Sequence, residues 1–120
     1  YWLTNILCRD PNSGNNGFVL LRALEPLEGL DEMRERRGKS KAIDLCSGPG
    51  KLSMALGIDQ NHHGVSLVSP EAPGGFQSND IDAIEILPDR RIGISRAKDL
   101  EWRFLEKGNP HLSVPFGKAK

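Results

Sequence analysis

Cysteine is scarce: Cys8 and Cys46 are the only two in 120 residues, and neither sits at a metal-ligand spacing. That excludes a disulfide framework and points to reduced thiols. Long apolar runs are missing as well. None approaches the roughly 20 residues that cross a bilayer, and nothing at the start resembles a secretory signal. The chain is therefore read as soluble and intracellular, with no membrane association. A surplus of either charge is absent, because 16 lysines and arginines balance 16 aspartates and glutamates. No field of one sign draws the whole chain to a polyanion, although a local basic patch can still hold a phosphate backbone. An initiator methionine is lacking too. The β-prone opening Y-W-L-T-N-I-L has no turn or cap before it, which predicts a polypeptide cut inside a domain with part of its core elsewhere.

What is present is an ordinary globular composition, 38% apolar and 27% charged, made loop-rich by 13 glycines and 8 prolines. A chain of this length makes one domain and can bury a core without a metal or disulfide to hold it. Residues 19–29 read V-L-L-R-A-L-E-P-L-E-G, an apolar run with Arg22 at its centre and a break at Glu25-Pro26. The pattern predicts a strand over residues 18–24, buried on both faces and antiparallel to the first. A buried arginine requires a partner, so Arg22 is either half of a structural ion pair or a functional residue. On the first strand, Asn5 alternates onto a face with two leucines, where its amide is costly unless something hydrogen-bonds it.

Residues 30–37 read as a polar helix with Leu30 and Met33 as its apolar stripe. Its Arg34, Arg36 and Arg37, followed by Lys39 and Lys41, form a basic patch that is either a solvated face or a phosphate contact. Next, D-L-C-S-G-P-G-K-L predicts a short helix starting near Gly48, with Ser47 as N-cap, Pro49 in the first turn and Gly57 closing it. Unpaired amides at that start, with Lys51 beside them, suit an anion. A phosphate-binding Walker loop is excluded because Leu45 and Leu52 stand where it needs Gly and Ser or Thr. A strand over residues 42–45 leading into Gly-Pro-Gly is also similar to the first motif of S-adenosylmethionine-dependent methyltransferases, with Glu71 as the ribose ligand.

The remainder predicts a turn over residues 59–64, a strand over residues 81–87, a turn at Pro88-Asp89-Arg90 and a strand over residues 91–97. Trp102-Arg103-Phe104 reads as a further strand or a tight packing segment. Gly93 inside a strand marks close approach by backbone or ligand. His62 and His63 lie in a polar turn without acidic or cysteine partners at ligand spacing, so they read as exposed side chains and not as a metal site.

Taken together, R-A-L-E-P-L-E-G, L-C-S-G-P-G-K-L with A-L-G-I, R-I-G-I with Ala97, W-R-F and G-N-P with L-S resemble the 3-methyladenine DNA glycosylases of the alkyladenine type, in order and spacing from Asn5 to Ser113. The resemblance implies an α+β domain with a curved, largely antiparallel sheet and short helices, incomplete at its N-terminus. It implies base-excision repair: a damaged purine flipped from duplex DNA and released by hydrolysis, by a protein that is a monomer when complete and needs no cofactor. By position, Arg22 and the Ile92 carbonyl would hold the attacking water with a glutamate. Asn5 and Gly93 would line the base pocket, and Ser47 and Lys51 would lie against the DNA backbone. The general-base glutamate, the stacking side chains and the intercalating tyrosine of the family have no counterpart in this chain, and Glu25 and Glu28 flank Pro26 too closely to substitute. The expectation is a C-terminal portion, silent alone. A non-catalytic nucleic-acid-binding module is the remaining alternative.

Overall fold

A computed structural model describes residues 1–69, 71, 74–77 and 84–120. The elements, in order, are β1 (Asn5–Arg9), β2 (Asn16–Leu20), α1 (Leu30–Arg37), α2 (Pro49–Ala55), β3 (Ile86–Asp89) and β4 (Arg103–Glu106). Single 3-10 turns occur at Ala42–Asp44 and Gln60–His62. Among the described residues the strands pair as β1 with β2 and β3 with β4, both antiparallel. The class is the mixed α+β expected from the sequence. No helix among the described residues is long and apolar enough to cross a membrane.

The β1–β2 connection is built by Asp10. Its carboxylate accepts the amides of Asn12 (3.0 Å) and Ser13 (3.3 Å) and the Ser13 hydroxyl (2.5 Å), while Gly14 takes the left-handed conformation that lets the chain return. The Ser13 hydroxyl and then the Asn12 amide hold the Asp10 carboxyl below its usual range. α1 spans the residues the pattern indicated and buries Met33. α2 starts with Pro49 at its first position. It ends in a Schellman motif, with the Gly57 amide on the Met54 carbonyl (3.1 Å) and the Ile58 amide on the Ser53 carbonyl (2.8 Å), Gly57 at φ 68°.

Helices α1 and α2 enclose the core. Met33, Leu45, Cys46, Leu52 and Ala55 are buried together, with Leu21 and Leu24 packed against them. The arginines of α1 close this unit: Arg36 donates to the Ala55 carbonyl (2.9 Å), and Arg37 donates to the carbonyls of Leu45 (3.1 Å) and Asp44 (3.3 Å). Arg34 bonds Asp31 and the Ser40 carbonyl. Much of the basic patch is thus committed to the fold. The hairpin docks on α2 through Thr4 and the buried Ser53, whose hydroxyls are 2.9 Å apart.

Several expectations are corrected. The Arg22 segment is not a strand buried on both faces. β2 ends at Leu20, with only the Leu21 amide on the Thr4 carbonyl (3.0 Å) continuing the pairing, and Phe18 and Val19 are 71% and 54% exposed. A two-stranded sheet has no layer to cover its second face. For the same reason Asn5 is exposed, not buried. Residues 42–44 form a 3-10 turn where the methyltransferase reading places a strand, so the Gly-Pro-Gly loop does not follow a strand. Gly48, not Ser47, occupies the N-cap position. Residues 91–97 form no strand, and β3 runs through Pro88 and Asp89, where a turn was expected. Residues 81–83 of the expected earlier strand lie outside the described residues.

Apolar sheet faces lie open among the described residues, with Leu7 and Phe18 on the hairpin and Ile86, Trp102 and Phe104 on and beside the second sheet all more than half exposed.

Candidate functional site

Arg22 follows β2 on an irregular segment that crosses behind the core. Leu21 and Leu24 pack inward, and the Leu24 amide donates to the Cys46 carbonyl (3.2 Å). The half-buried Arg22 side chain reaches across the fold and donates from Nη1 to the Ile92 carbonyl at 3.4 Å, across 70 residues of sequence. Its Nε is buried with no hydrogen-bond partner among the described residues. Burial, and then the positive charge of Arg103, lower the pKa of the guanidinium, which remains protonated at neutral pH. Among the described residues no carboxylate pairs with it. Glu25, three residues on, is exposed and accepts from Asn109 Nδ2 (3.0 Å).

An arginine charge held against a carbonyl, with a free buried donor and no counter-charge, can orient a polar ligand or a water. It cannot act as a base. Cys46 is no nucleophile either, because burial pushes its thiol up, only partly offset by Arg37.

The other expected site residues lie on adjoining elements. Asn5 pairs with Leu20, two positions before Arg22, and presents its side chain to solvent. Gly93 follows Ile92 at φ 71°, and apart from its chain neighbours no described residue has an atom within 4 Å of where a Cβ would stand. Its left-handed backbone calls for glycine whatever approaches it, and it lies outside any strand. Lys51 is exposed on α2, in an ion pair with nothing among the described residues. It lines an open groove of about 390 Å³ with Tyr1, Leu3, Arg37, Gly48 and Met54. Ser47 is half-buried just before this helix. The structure brings Arg22 and Ile92 into contact; no described hydrogen bond joins Asn5, Ser47 or Lys51 to them.

His62 has a structural explanation. Its Nδ1 lies 3.0 Å from Asp59 Oδ1, in a reciprocal cap of the 3-10 turn. No group of three metal-ligating side chains occurs among the described residues.

Pattern reading missed one buried charge pair. Arg103 and Asp89 face each other across β3 and β4, their side chains 6% and 9% exposed. Arg103 Nη2 donates to Asp89, Nε to the Arg90 carbonyl (3.1 Å) and Nη1 to the Val114 carbonyl (2.8 Å). Asp89 also accepts the amides of Arg90 (2.7 Å) and Gly117 (2.8 Å). Burial pushes the Asp89 carboxyl up, but these amides and the Arg103 charge outweigh it and hold the group below its usual range. The available signal was phase: Arg103 alternates in step with the buried Leu105.

The family model described as methylpurine-DNA glycosylase matches residues 1–110. A protein of Nitrosospira multiformis is 47% identical over 117 residues, 97% of this chain and 58% of its own length. One of Rhodopseudomonas palustris strain HaA2 is 44% identical over 116 residues, 97% and 55%, and one of Francisella tularensis subsp. tularensis is 39% identical over 115 residues, 94% and 58%. All three carry the name "Putative 3-methyladenine DNA glycosylase". The chain thus spans rather more than half the length of these relatives.

Proposed function

The chain belongs to the methylpurine-DNA glycosylase family, and on that premise we propose that it contributes part of a site that hydrolyses the N-glycosidic bond of damaged purines in duplex DNA. The observation that carries this reading is the contact between Arg22 and the Ile92 carbonyl with no carboxylate paired to Arg22 among the described residues.

Cleaving an N-glycosidic bond builds positive charge on the sugar, and a water must attack from the opposite face while losing a proton. Arg22 donates to a lone pair of that water, and the Ile92 carbonyl fixes the guanidinium and accepts from the same water. The third group is a glutamate that these 120 residues do not supply, so this polypeptide by itself releases no base. Alkylated purines such as 3-methyladenine carry positive charge and leave readily once flipped from the stack. Exposed Asn5 meets the flipped base and disfavours the exocyclic amino group of guanine. The open, left-handed backbone at Gly93 lets the strand pass close to Ile92. Ser47 and Lys51 lie toward the DNA backbone. Since the protein is neutral overall, such local cations carry the phosphate contacts. The partner is duplex DNA containing damaged purines, met inside the cell without a membrane. No cofactor takes part, and the complete protein acts as a monomer.

The methyltransferase reading has lost its support, because residues 42–44 make a 3-10 turn and both sheets among the described residues are antiparallel.

The test is base release from duplexes carrying hypoxanthine or 1,N6-ethenoadenine. The chain alone is expected to release none. A chimera completed with the portion of the Nitrosospira multiformis relative that it does not match is expected to release base. A chimera that binds the duplex but releases nothing, beside an active relative, replaces this reading with a non-catalytic DNA-binding module. Release by the chain alone overturns the missing carboxylate.

A further inference from the structure

The segment that presents the Ile92 carbonyl is irregular, and Arg22 is the donor that this carbonyl receives among the described hydrogen bonds. Something else must fix its place. Two residues earlier, the Arg90 carbonyl accepts from Arg103 Nε and the Arg90 amide donates to Asp89, whose other oxygen is bound by Arg103 and the Gly117 amide. The Arg103 guanidinium also reaches the Val114 (2.8 Å) and Pro115 (3.5 Å) carbonyls. One nearly inaccessible side chain thus joins the end of β3, the start of β4 and residues 114–115, while its partner Asp89 holds Gly117.

We propose that Arg103, charge-balanced by Asp89, is the positioning residue that sets where the Ile92 carbonyl meets Arg22. This inference rests on the glycosylase reading for its purpose, but its geometry stands independently. Arg103 touches no reacting atom. It acts by anchoring Arg90, so that the short stretch through Arg91 and Ile92 to the left-handed Gly93 leaves little freedom for the carbonyl between them. Asp89 lets this be done with a second guanidinium close to Arg22 without leaving that charge unbalanced in the interior.

The distinction between a planar fork and a point charge supplies the test. A lysine at 103 keeps the ion pair with Asp89 but cannot hold the Arg90 carbonyl, the Val114 carbonyl and the carboxylate together. In the 120-residue chain labelled with nitrogen-15 at arginine, the parent is expected to show a cross-peak between an Arg22 Nη proton and the Gly93 α-protons. Arg103→Lys is expected to weaken it by at least about fivefold while Met33 and Leu52 methyl signals, in the separate helical core, stay in place. Asp89→Asn leaves Arg103 its carbonyl partners and an amide oxygen at 89, and is expected to keep more of the cross-peak than Arg103→Lys does. An unchanged cross-peak in Arg103→Lys, collapse of the core methyl signals in that variant, or equal loss in both variants each overturns the positioning role. None of these outcomes touches base release by the completed protein, so the failure of this inference is distinguishable from the failure of the functional reading.

Discussion

Arg22→Met should stabilise the isolated chain while removing its proposed role. In the parent, a half-buried guanidinium has, among the described residues, one long bond, 3.4 Å to the Ile92 carbonyl, a buried Nε without a partner and a like charge at Arg103. Losing that bond costs at most about 1.5 kcal/mol, whereas removing an unsatisfied buried polar group returns about 1–3 kcal/mol. Methionine fills similar space with flexible apolar atoms. The balance is a gain of about 0–2 kcal/mol. An unfolding entropy of about 2.1 cal/mol/K per residue makes each kcal/mol worth about 4 °C here, so the melting temperature should rise by up to about 8 °C. Thermal unfolding followed by circular dichroism reads it directly. Repulsion by Arg103 supplies part of the gain, so the rise should shrink between about 0.01 M and about 1 M salt, as the Debye length falls from about 30 to about 3 Å. A fall of more than about 4 °C would refute the reasoning and make Arg22 a structural residue.

Three further outcomes are expected. Leu52 is fully buried in a small core, so Leu52→Ala should cost about 2–5 kcal/mol in urea unfolding, and a loss under about 1 kcal/mol would mean that the core is not organised around it. Because the folded-state pKa of Asp89 lies below its unfolded value, its contribution is present above about pH 4 and is lost as pH falls through the folded value. Stability measured downward from pH 5 should therefore decline less steeply in Asp89→Asn than in the parent, and parallel curves would contradict the assignment. Gly57 closes α2 at φ 68°, so Gly57→Ala should destabilise by about 1 kcal/mol, seen as a drop of about 4 °C; no drop would place the helix end elsewhere.

Local pattern was most legible where one element satisfies itself. The bounds of α1, the Pro49 start and Gly57 end of α2, and a strand near Arg103 follow from periodicity, caps and phase. Burial was misjudged where it depends on what lies opposite. Residues 18–24 have the composition of an interior strand, yet β2 is half of a two-stranded sheet with Phe18 in solvent. Residues 42–45 turn instead of extending, because Leu45 and Cys46 are drawn into the helical core and the Arg37 side chain takes the Asp44 and Leu45 carbonyls. At the site, Arg22 was conspicuous as a charge in an apolar run. Its contact with Ile92 was not legible from local pattern, since a backbone carbonyl 70 residues away carries no sequence signature, and the expectation came with the family resemblance. Asp89 escaped notice because Pro88 beside it signals a turn, whereas the chain carries both through β3.

In the proposed reaction Arg22 acts on the attacking water. The most direct measurement compares single-turnover base release from a hypoxanthine duplex by the completed chimera with Arg22 and with Arg22→Met, alongside the affinity of each for the same duplex. The account predicts a fall of at least about 100-fold in release, the range for losing a group that positions proton transfer, with affinity unchanged within a few-fold. Release within a few-fold of the parent would contradict it.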